Sequence, residues 1–417
     1  MKNEIKTVMM EFWERETQYK PREKLPKELI ISNSSIVIIG PRRAGKSYTI
    51  NQIRDMILEE DKKRNCIYIN FEDERLSRFS EKDFNSILEA YYEIRKDKPI
   101  LLLDEMQNVD GWEKFLRRLA DSGYKVVATG SNSRMLSREI ADKLGGRFAE
   151  TEIYPLDFKE FLAFKGMPFK EEFFYSKTRF EIKRYFEEYF LYGGFPEVAL
   201  LPEKESKIKI LKSYFNLVFY KDLIARKGIQ NEEILRFIIK KLRENIGNLI
   251  TPRAIYGALK NAEIEASPNT VEKYIDYLEE AFLVIPCLPF AKSVVKQVRE
   301  KRYIIDNGYI KLLEIKEDKG LLLENLIFNE LTKKGKKVNY HLGKKECDFI
   351  IDENEALQVA YELNEANVQR ELEGIMEAVE VYGLKKARIV TNDDEKEIKL
   401  EGMVVQVTPA WKWCLSL

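Results

Sequence analysis

The run Gly40-Pro41-Arg42-Arg43-Ala44-Gly45-Lys46-Ser47 follows the spacing GxxxxGK[ST] and comes directly after the apolar stretch SIVII. A loop of this kind wraps phosphates with main-chain N–H groups, and its glycines permit the close approach this requires. In such a loop Lys46 reaches the β- and γ-phosphates, and the Ser47 hydroxyl takes a Mg2+. The helix that follows turns its positive end towards the same anions. Residues Gly40 to Ser47, with Tyr48 next to them, are therefore expected to line a nucleoside triphosphate, read as ATP. The second chemical element is ILLLDEMQ. Its apolar residues carry Asp104 to the C-terminal edge of a buried strand, where ligands of parallel sheets bind. Asp104 is expected to hold the Mg2+. Glu105 is expected to polarise the attacking water, because phosphoryl transfer needs positioning and charge stabilisation more than covalent chemistry.

Further along, KVVATGSNS ends a strand in small polar residues, so Ser131 or Asn132 is a candidate contact to the γ-phosphate or the lytic water. A polar turn leaving the strand is the plainer reading. Arg147, in KLGGRF, stands where a neighbouring subunit supplies a charge-neutralising arginine; Arg134 is its rival, and a surface salt bridge fits either. With one histidine, general-base roles fall to carboxylates or lysines. Cys66, Cys287, Cys347 and Cys414 are scattered without a CxxC pair, which argues against a zinc site or a disulfide scaffold. ATP and Mg2+ are the expected cofactors.

The elements that must hold these residues are legible in outline. Apolar runs at Ser35–Gly40, Cys66–Phe71, Ile100–Glu105 and Lys125–Gly130 alternate with helical stretches at Lys46–Lys62, Glu81–Lys96 and Gly111–Gly123. Near-continuous apolar strands between helices predict a parallel sheet covered on both faces, closed by a strand near Ala149–Tyr154. One strand lies between the P-loop strand and the Asp-Glu strand in sequence, which resembles the additional-strand class of P-loop ATPases. A polar helix and connector over 1–34 precede this domain, which spans 35–200 with a helical lid from about residue 157. The Gly-Gly-Phe-Pro run after Tyr192 breaks a helix and predicts a boundary near 200. Residues 201–300 read as short helices, with Ser267 as an N-cap before an amphipathic helix over Asn269–Phe282. Residues 301–417 return to mixed α and β.

At 417 residues the chain is too long for one ordinary core. Its 70 basic residues equal its 70 acidic ones, so no overall field marks it for nucleic acid or an anionic membrane. No apolar run approaches the ~20 residues that cross a bilayer, and the acids within the N-terminal apolar stretch speak against a signal peptide. The expected setting is cytoplasmic, with no membrane partner.

GPRRAGKS, YINFED, LLLDEMQNVDGWE, ATGSNSRML and LGGRF, followed by YGGFPEV, resemble the AAA+-type archaeal and bacterial ATPases that carry a DUF4143 C-terminal region, from about residue 19 to 395. The resemblance implies an AAA+ module (AAA_14-like), then a winged-helix-like domain, then a fold similar to PD-(D/E)xK nucleases. The implied fold class is α/β: an additional-strand P-loop ATPase sheet followed by a helical domain and an α/β nuclease-like domain. In the last part, Glu324, Asp348 and Gln358 match the nuclease metal positions, but Gln358-Val359-Ala360 stands where the family has ExK. Without the lysine and one acid, a fold kept for binding or assembly is expected, since each such group is worth about 10²-fold or more in rate. Glu362 would lie on the same strand face as Gln358.

Residues 201–260 hold 13 Lys and Arg against 6 Asp and Glu. Lys204, Lys207, Lys209, Lys212, Arg226, Lys227, Lys240, Lys241, Arg243 and Arg253 are candidates to meet a DNA backbone. The helix over Asn269–Phe282 carries Glu272, Asp276, Glu279 and Glu280, which repel a DNA groove. The expected function is Mg2+-dependent ATP hydrolysis that controls C-terminal domains holding DNA or a protein partner, as a homo-oligomer or with another protein. A DNA-cleaving ATPase and a nucleotide-gated scaffold that ignores DNA are the alternatives.

Overall fold

The computed structural model describes residues 1–15, 18–22, 25, 30, 32, 34–60, 65–133, 142–290, 300–313, 318–400 and 402–417. The chain divides into two compact units, Met1–Tyr154 and Pro155–Leu417.

The first unit is built on five parallel strands, β1 (Ser35–Ile39), β2 (Cys66–Asn70), β3 (Ile100–Asp104), β4 (Val126–Gly130) and β5 (Phe148–Glu152), in the order β2-β3-β4-β1-β5. Every residue of β1, β3 and β4 is buried, as expected when helices cover both faces. Strand β4 lies between the P-loop strand β1 and the acidic strand β3, while β2, which separates them in sequence, takes the edge. Helices α1 (Lys2–Glu14), α2 (Lys46–Glu60), α3 (Phe84–Tyr92) and α4 (Trp112–Asp121) accompany it. The N-terminal helix is not a separate appendage. Ile5, Val8, Met9 and Phe12 bury one face of α1, Phe12 stacks on Tyr68 of β2 at 4.9 Å, and Trp13 Nε1 donates to the Cys66 carbonyl at 2.8 Å.

The second unit begins earlier than the sequence suggested, so the boundary expected near 200 lies inside it. Helices α5 (Phe158–Phe164), α6 (Thr178–Tyr192), α7 (Pro196–Leu200) and α8 (Lys204–Leu217), the last running into a π-helical segment Val218–Ala225, precede α9 (Glu232–Glu244), α10 (Pro252–Asn261) and α11 (Pro268–Glu280). Ser267 caps α11 as expected, its hydroxyl accepting from Thr270 N at 3.1 Å. An antiparallel pair follows, β6 (Val284–Cys287) and β7 (Lys301–Ile304), and then α12 (Asn307–Leu312) and α13 (Lys319–Lys333). The remaining strands β8 (Val338–Leu342), β9 (Glu346–Ile351), β10 (Glu355–Val359), β11 (Lys386–Thr391), β12 (Lys396–Leu400) and β13 (Met403–Pro409) form one mixed sheet, with α14 (Val368–Tyr382) and α15 (Ala410–Ser416). Strands β6, β8, β12 and β13 and helix α15 were not legible from the sequence pattern.

The glycine pair after α6 explains why no boundary falls there. Gly194 N and Gly308 N both donate to the carboxylate of Asp306, at 2.8 and 2.9 Å. A Cβ on Gly193, which sits at φ 73, would come 1.6 Å from Asp306 Oδ1. The run ends α6 at Tyr192, as expected, and is also a close contact with a residue more than a hundred positions away. Lys333 Nζ donates to Tyr189 OH at 2.8 Å, and Tyr189 also bonds Glu330, tying α6 to α13.

Candidate functional site

Strand β1 delivers the chain to Gly40, and the loop returns as the first turn of α2. A Cβ at Gly40 would lie 1.9 Å from the Ile153 carbonyl, and Gly45 adopts φ 100, so both loop ends require glycine. Lys46, almost fully buried, donates from Nζ to the Gly40 and Pro41 carbonyls at 3.0 Å each and lies 3.5 Å from Glu105 Oε1. Arg42 pairs with Glu72 at 2.7 Å. Tyr48 is exposed beside Ser47, whereas Ala44 is buried. Arg43 adopts φ 65 and is exposed.

The two carboxylates at the end of β3 are buried and wired to neighbouring strands. Asp104 accepts from the Thr129 hydroxyl of β4 on one oxygen and from the Tyr68 hydroxyl of β2 at 2.8 Å on the other; Ser47 also bonds it. Burial and the adjacent Glu105 push the Asp104 carboxyl up, against the pull of these hydroxyls. Burial alone would raise Glu105 as well. The cations Lys46 and Arg42, with bonds from Gln107 and Ser131, outweigh it and hold that carboxyl down at about 2. Glu105 adopts a left-handed backbone (φ 57, ψ 46), which costs on the order of 1–3 kcal/mol. Its N–H donates to Thr129 Oγ1 at 3.0 Å, and its Oε2 accepts from Ser131 at 2.9 Å and from Gln107.

Of the residues named from sequence, Lys46, Ser47, Asp104, Glu105 and Ser131 thus form one contiguous network. Asn132 is half-buried next to it. Arg147 bonds Asp121 and, at 2.9 Å, the Gly145 carbonyl, so its recorded partners are not the strand-end acids. Arg134 lies outside the described residues. Thr129, Gln107 and Tyr68 were missed. The visible traces were polar residues inside apolar strands (ATG and IYI) and the glutamine two places after Glu105.

A Mg2+ site fits what is present: a Ser47 hydroxyl already bonded to a buried carboxylate is a hard oxygen pair of the kind Mg2+ prefers. Gln107 Oε1 is buried with no partner among the described residues, an acceptor free for a water.

In the second unit, Glu324 of α13 accepts from Tyr303 OH at 2.8 Å, and Asp348 Oδ2 accepts from Val359 N at 2.8 Å. The Gln358 amide is spent internally, its oxygen accepting from Asp348 N at 3.1 Å and its nitrogen donating to Glu371 at 2.7 Å. Lys301 of β7, only 1% exposed, pairs with Glu346 and feels the charges of Glu324 and Asp348. Burial pushes Glu324 and Asp348 up. Among the described residues no group of three or more His, Cys, Asp or Glu side chains is placed to hold a metal. Glu362 is exposed beyond the end of β10, not on the strand, because β10 stops at Val359.

The basic stretch is less available than its composition suggested. Lys207 is buried and bonds the Val198 carbonyl and Glu188, both at 2.9 Å. Arg226 pairs with Asp222, Lys227 with Glu280, and Lys241 with Glu244; Lys240 stands 4.0 Å from Glu244, and the Nε of Arg243 is buried. Lys204, Lys209, Lys212 and Arg253 are exposed. On α11, Glu279 and Glu280 are taken by Arg302 and Lys227, which leaves Glu272 and Asp276 exposed. No helix among the described residues is long and apolar enough to cross a membrane.

Comparison with known proteins agrees with this geometry. The AAA_14 family (AAA domain) matches residues 32–162. Where the resemblance implied a DUF4143 region, residues 183–319 match a domain of unknown function, DUF8612. The uncharacterized protein MJ1544 of Methanocaldococcus jannaschii is 36% identical over 400 residues, 93% of this chain and 89% of its own. An uncharacterized protein of Haemophilus influenzae is 33% identical over 387 residues, 90% and 93% of the two chains. Among solved structures, Cdc6p from Pyrobaculum aerophilum shares 10% identity over 75% of this chain and 97% of its own, at a TM-score of 0.29, too low to carry an argument. With its Walker-type loop, its strand order and these full-length relatives, the chain belongs to the AAA-domain family of AAA+ P-loop ATPases.

Proposed function

We propose that the chain binds ATP with Mg2+ and hydrolyses it, and that its nucleotide state controls a C-terminal portion that holds a partner or DNA. The observation that carries this reading is the network joining Lys46, Glu105, Ser131 and Gln107 beside Asp104 at the mouth of the loop. Ser47 and Asp104 would hold the Mg2+, which when bound neutralises charge developing on the phosphates. Lys46, now resting on loop carbonyls, moves onto the β- and γ-phosphates and releases its hold on Glu105. The anionic Glu105, fixed by Ser131 and Gln107, then orients the attacking water as a hydrogen-bond acceptor. In this reading Ser131 is a positioning group, Arg147 is free to serve a neighbour only after leaving Asp121, and Tyr48 lies at the edge of the nucleotide.

For the second unit we favour a non-cleaving role. The three helices and two-stranded ribbon of 232–304 support a winged-helix-like arrangement, and the order α13-β8-β9-β10-α14-β11 supports a nuclease-like core. In that core Gln358 is committed to Asp348 and Glu371, and Ala360 offers no ammonium.

The test is phosphate release from ATP with Mg2+. Glu105→Gln should keep ATP bound and slow turnover by about 10²–10³-fold, while Lys46→Ala should weaken binding itself. Turnover unchanged in Glu105→Gln would sink the assignment.

A further inference from the structure

The carboxylate of Asp104 has a donor on each oxygen, and the one on Oδ2 comes from a residue with no place in the P-loop motif. Strand β2 pairs in parallel with β3, with Asn70 opposite Asp104. Tyr68 lies two residues back on the same face, and its length carries the phenol forward to Asp104 Oδ2 at 2.8 Å. Thr129 holds the opposite oxygen from β4. A carboxylate bonded on both oxygens cannot turn about its Cβ–Cγ bond without losing one partner.

The other face of the Tyr68 ring belongs to α1. Phe12 stacks on it at 4.9 Å with planes 22° apart, and the Arg54 guanidinium of α2 lies 5.3 Å from the Phe12 ring centroid. Trp13 fixes the end of α1 to β2 through the Cys66 carbonyl, so the stack is held in register with the strand. One chain of contacts thus runs from the N-terminal helix to the acid at the end of β3.

We propose that Tyr68 is a positioning residue for the Mg2+–nucleotide site, orienting Asp104 through its hydroxyl, and that α1 sets Tyr68 through Phe12. This rests on the nucleotide reading above. Partners that orient a metal-binding carboxylate typically contribute 10–100-fold to metal affinity or activity. Its hydroxyl bonds Asp104, so its loss is expected to act on nucleotide binding through the cation that Asp104 would hold.

The experiment titrates the full-length protein with a fluorescent ADP analogue, in EDTA and across a MgCl2 series, beside Tyr68→Phe and Phe12→Leu. Tyr68→Phe should bind the analogue in EDTA like the wild type and need about 10-fold more Mg2+ for the same gain in affinity. Phe12→Leu, which keeps an apolar side chain in the core, should shift the Mg2+ requirement in the same direction by a smaller factor. Equal losses in EDTA and in Mg2+ would mean a merely structural tyrosine and overturn the proposal, as would an unchanged Mg2+ requirement in Tyr68→Phe. A shift in Tyr68→Phe with none in Phe12→Leu would remove α1 from it. A wild-type protein with no Mg2+-linked binding would overturn the nucleotide reading and this one together; wild-type linkage with an unaltered Tyr68→Phe overturns this one alone.

Discussion

Thr129 donates its hydroxyl to Asp104 and accepts the N–H of Glu105 at 3.0 Å on the same oxygen. One side chain of β4 therefore fixes both acids at the end of β3, and does so in a fully buried place. Thr129→Val keeps the shape and removes both bonds. It should lower ATP turnover by about 10–100-fold and cost about 1–3 kcal/mol of stability, the penalty for stranding a buried donor and carboxylate. Denaturant unfolding and steady-state turnover read the two effects separately.

Gly193 is committed by Asp306. Alanine there would put a methyl group 1.6 Å from the carboxylate oxygen at a backbone angle of φ 73. Gly193→Ala should cost on the order of 3 kcal/mol or more, seen as an earlier unfolding transition. A transition at the wild-type position would show that the GGFP run is spacing alone.

Lys301 is a buried cation facing buried acids. Lys301→Met fills the same volume and leaves Glu324 and Asp348 uncompensated, so a loss of about 3–5 kcal/mol is expected. Adding Glu324→Gln should return part of it. If the double variant is no more stable than the single one, the ammonium is not balancing Glu324.

His341 is the sole histidine, so its imidazole signals need no assignment. Its Nδ1 bonds Tyr382 OH at 2.9 Å and its Nε2 faces Glu377 at 3.4 Å. Burial lowers its pKa from 6.5, with Glu377 opposing. The folded state then takes its proton after the unfolded chain does, so the stability it contributes is present above about pH 6.5 and declines as pH falls through that value towards the folded pKa. An NMR titration midpoint above 6.5 would reverse the sign.

Local chemistry was legible without a structure. GxxxxGKS, the apolar strands before Gly40 and after Pro99, and the Ser267 cap depend on neighbours within a few residues, so spacing and residue type suffice to read them. The parallel sheet was legible too, because near-continuous apolar runs alternate with helices, but the insertion of β4 between β1 and β3 was decided by strand pairing. The partners of the acids were not legible: Tyr68, Gln107 and Thr129 look like ordinary strand and turn residues until β2, β3 and β4 pair. Lys207 read as a surface cation, yet Glu188 and two carbonyls hold it inside; Gly193 does end a helix, as its type suggests, but that Asp306 closes on it was not legible. Charge and flexibility are properties a residue shows by itself. Whether a charge meets water or a buried partner depends on segments far away in sequence, and only the packed chain decides that.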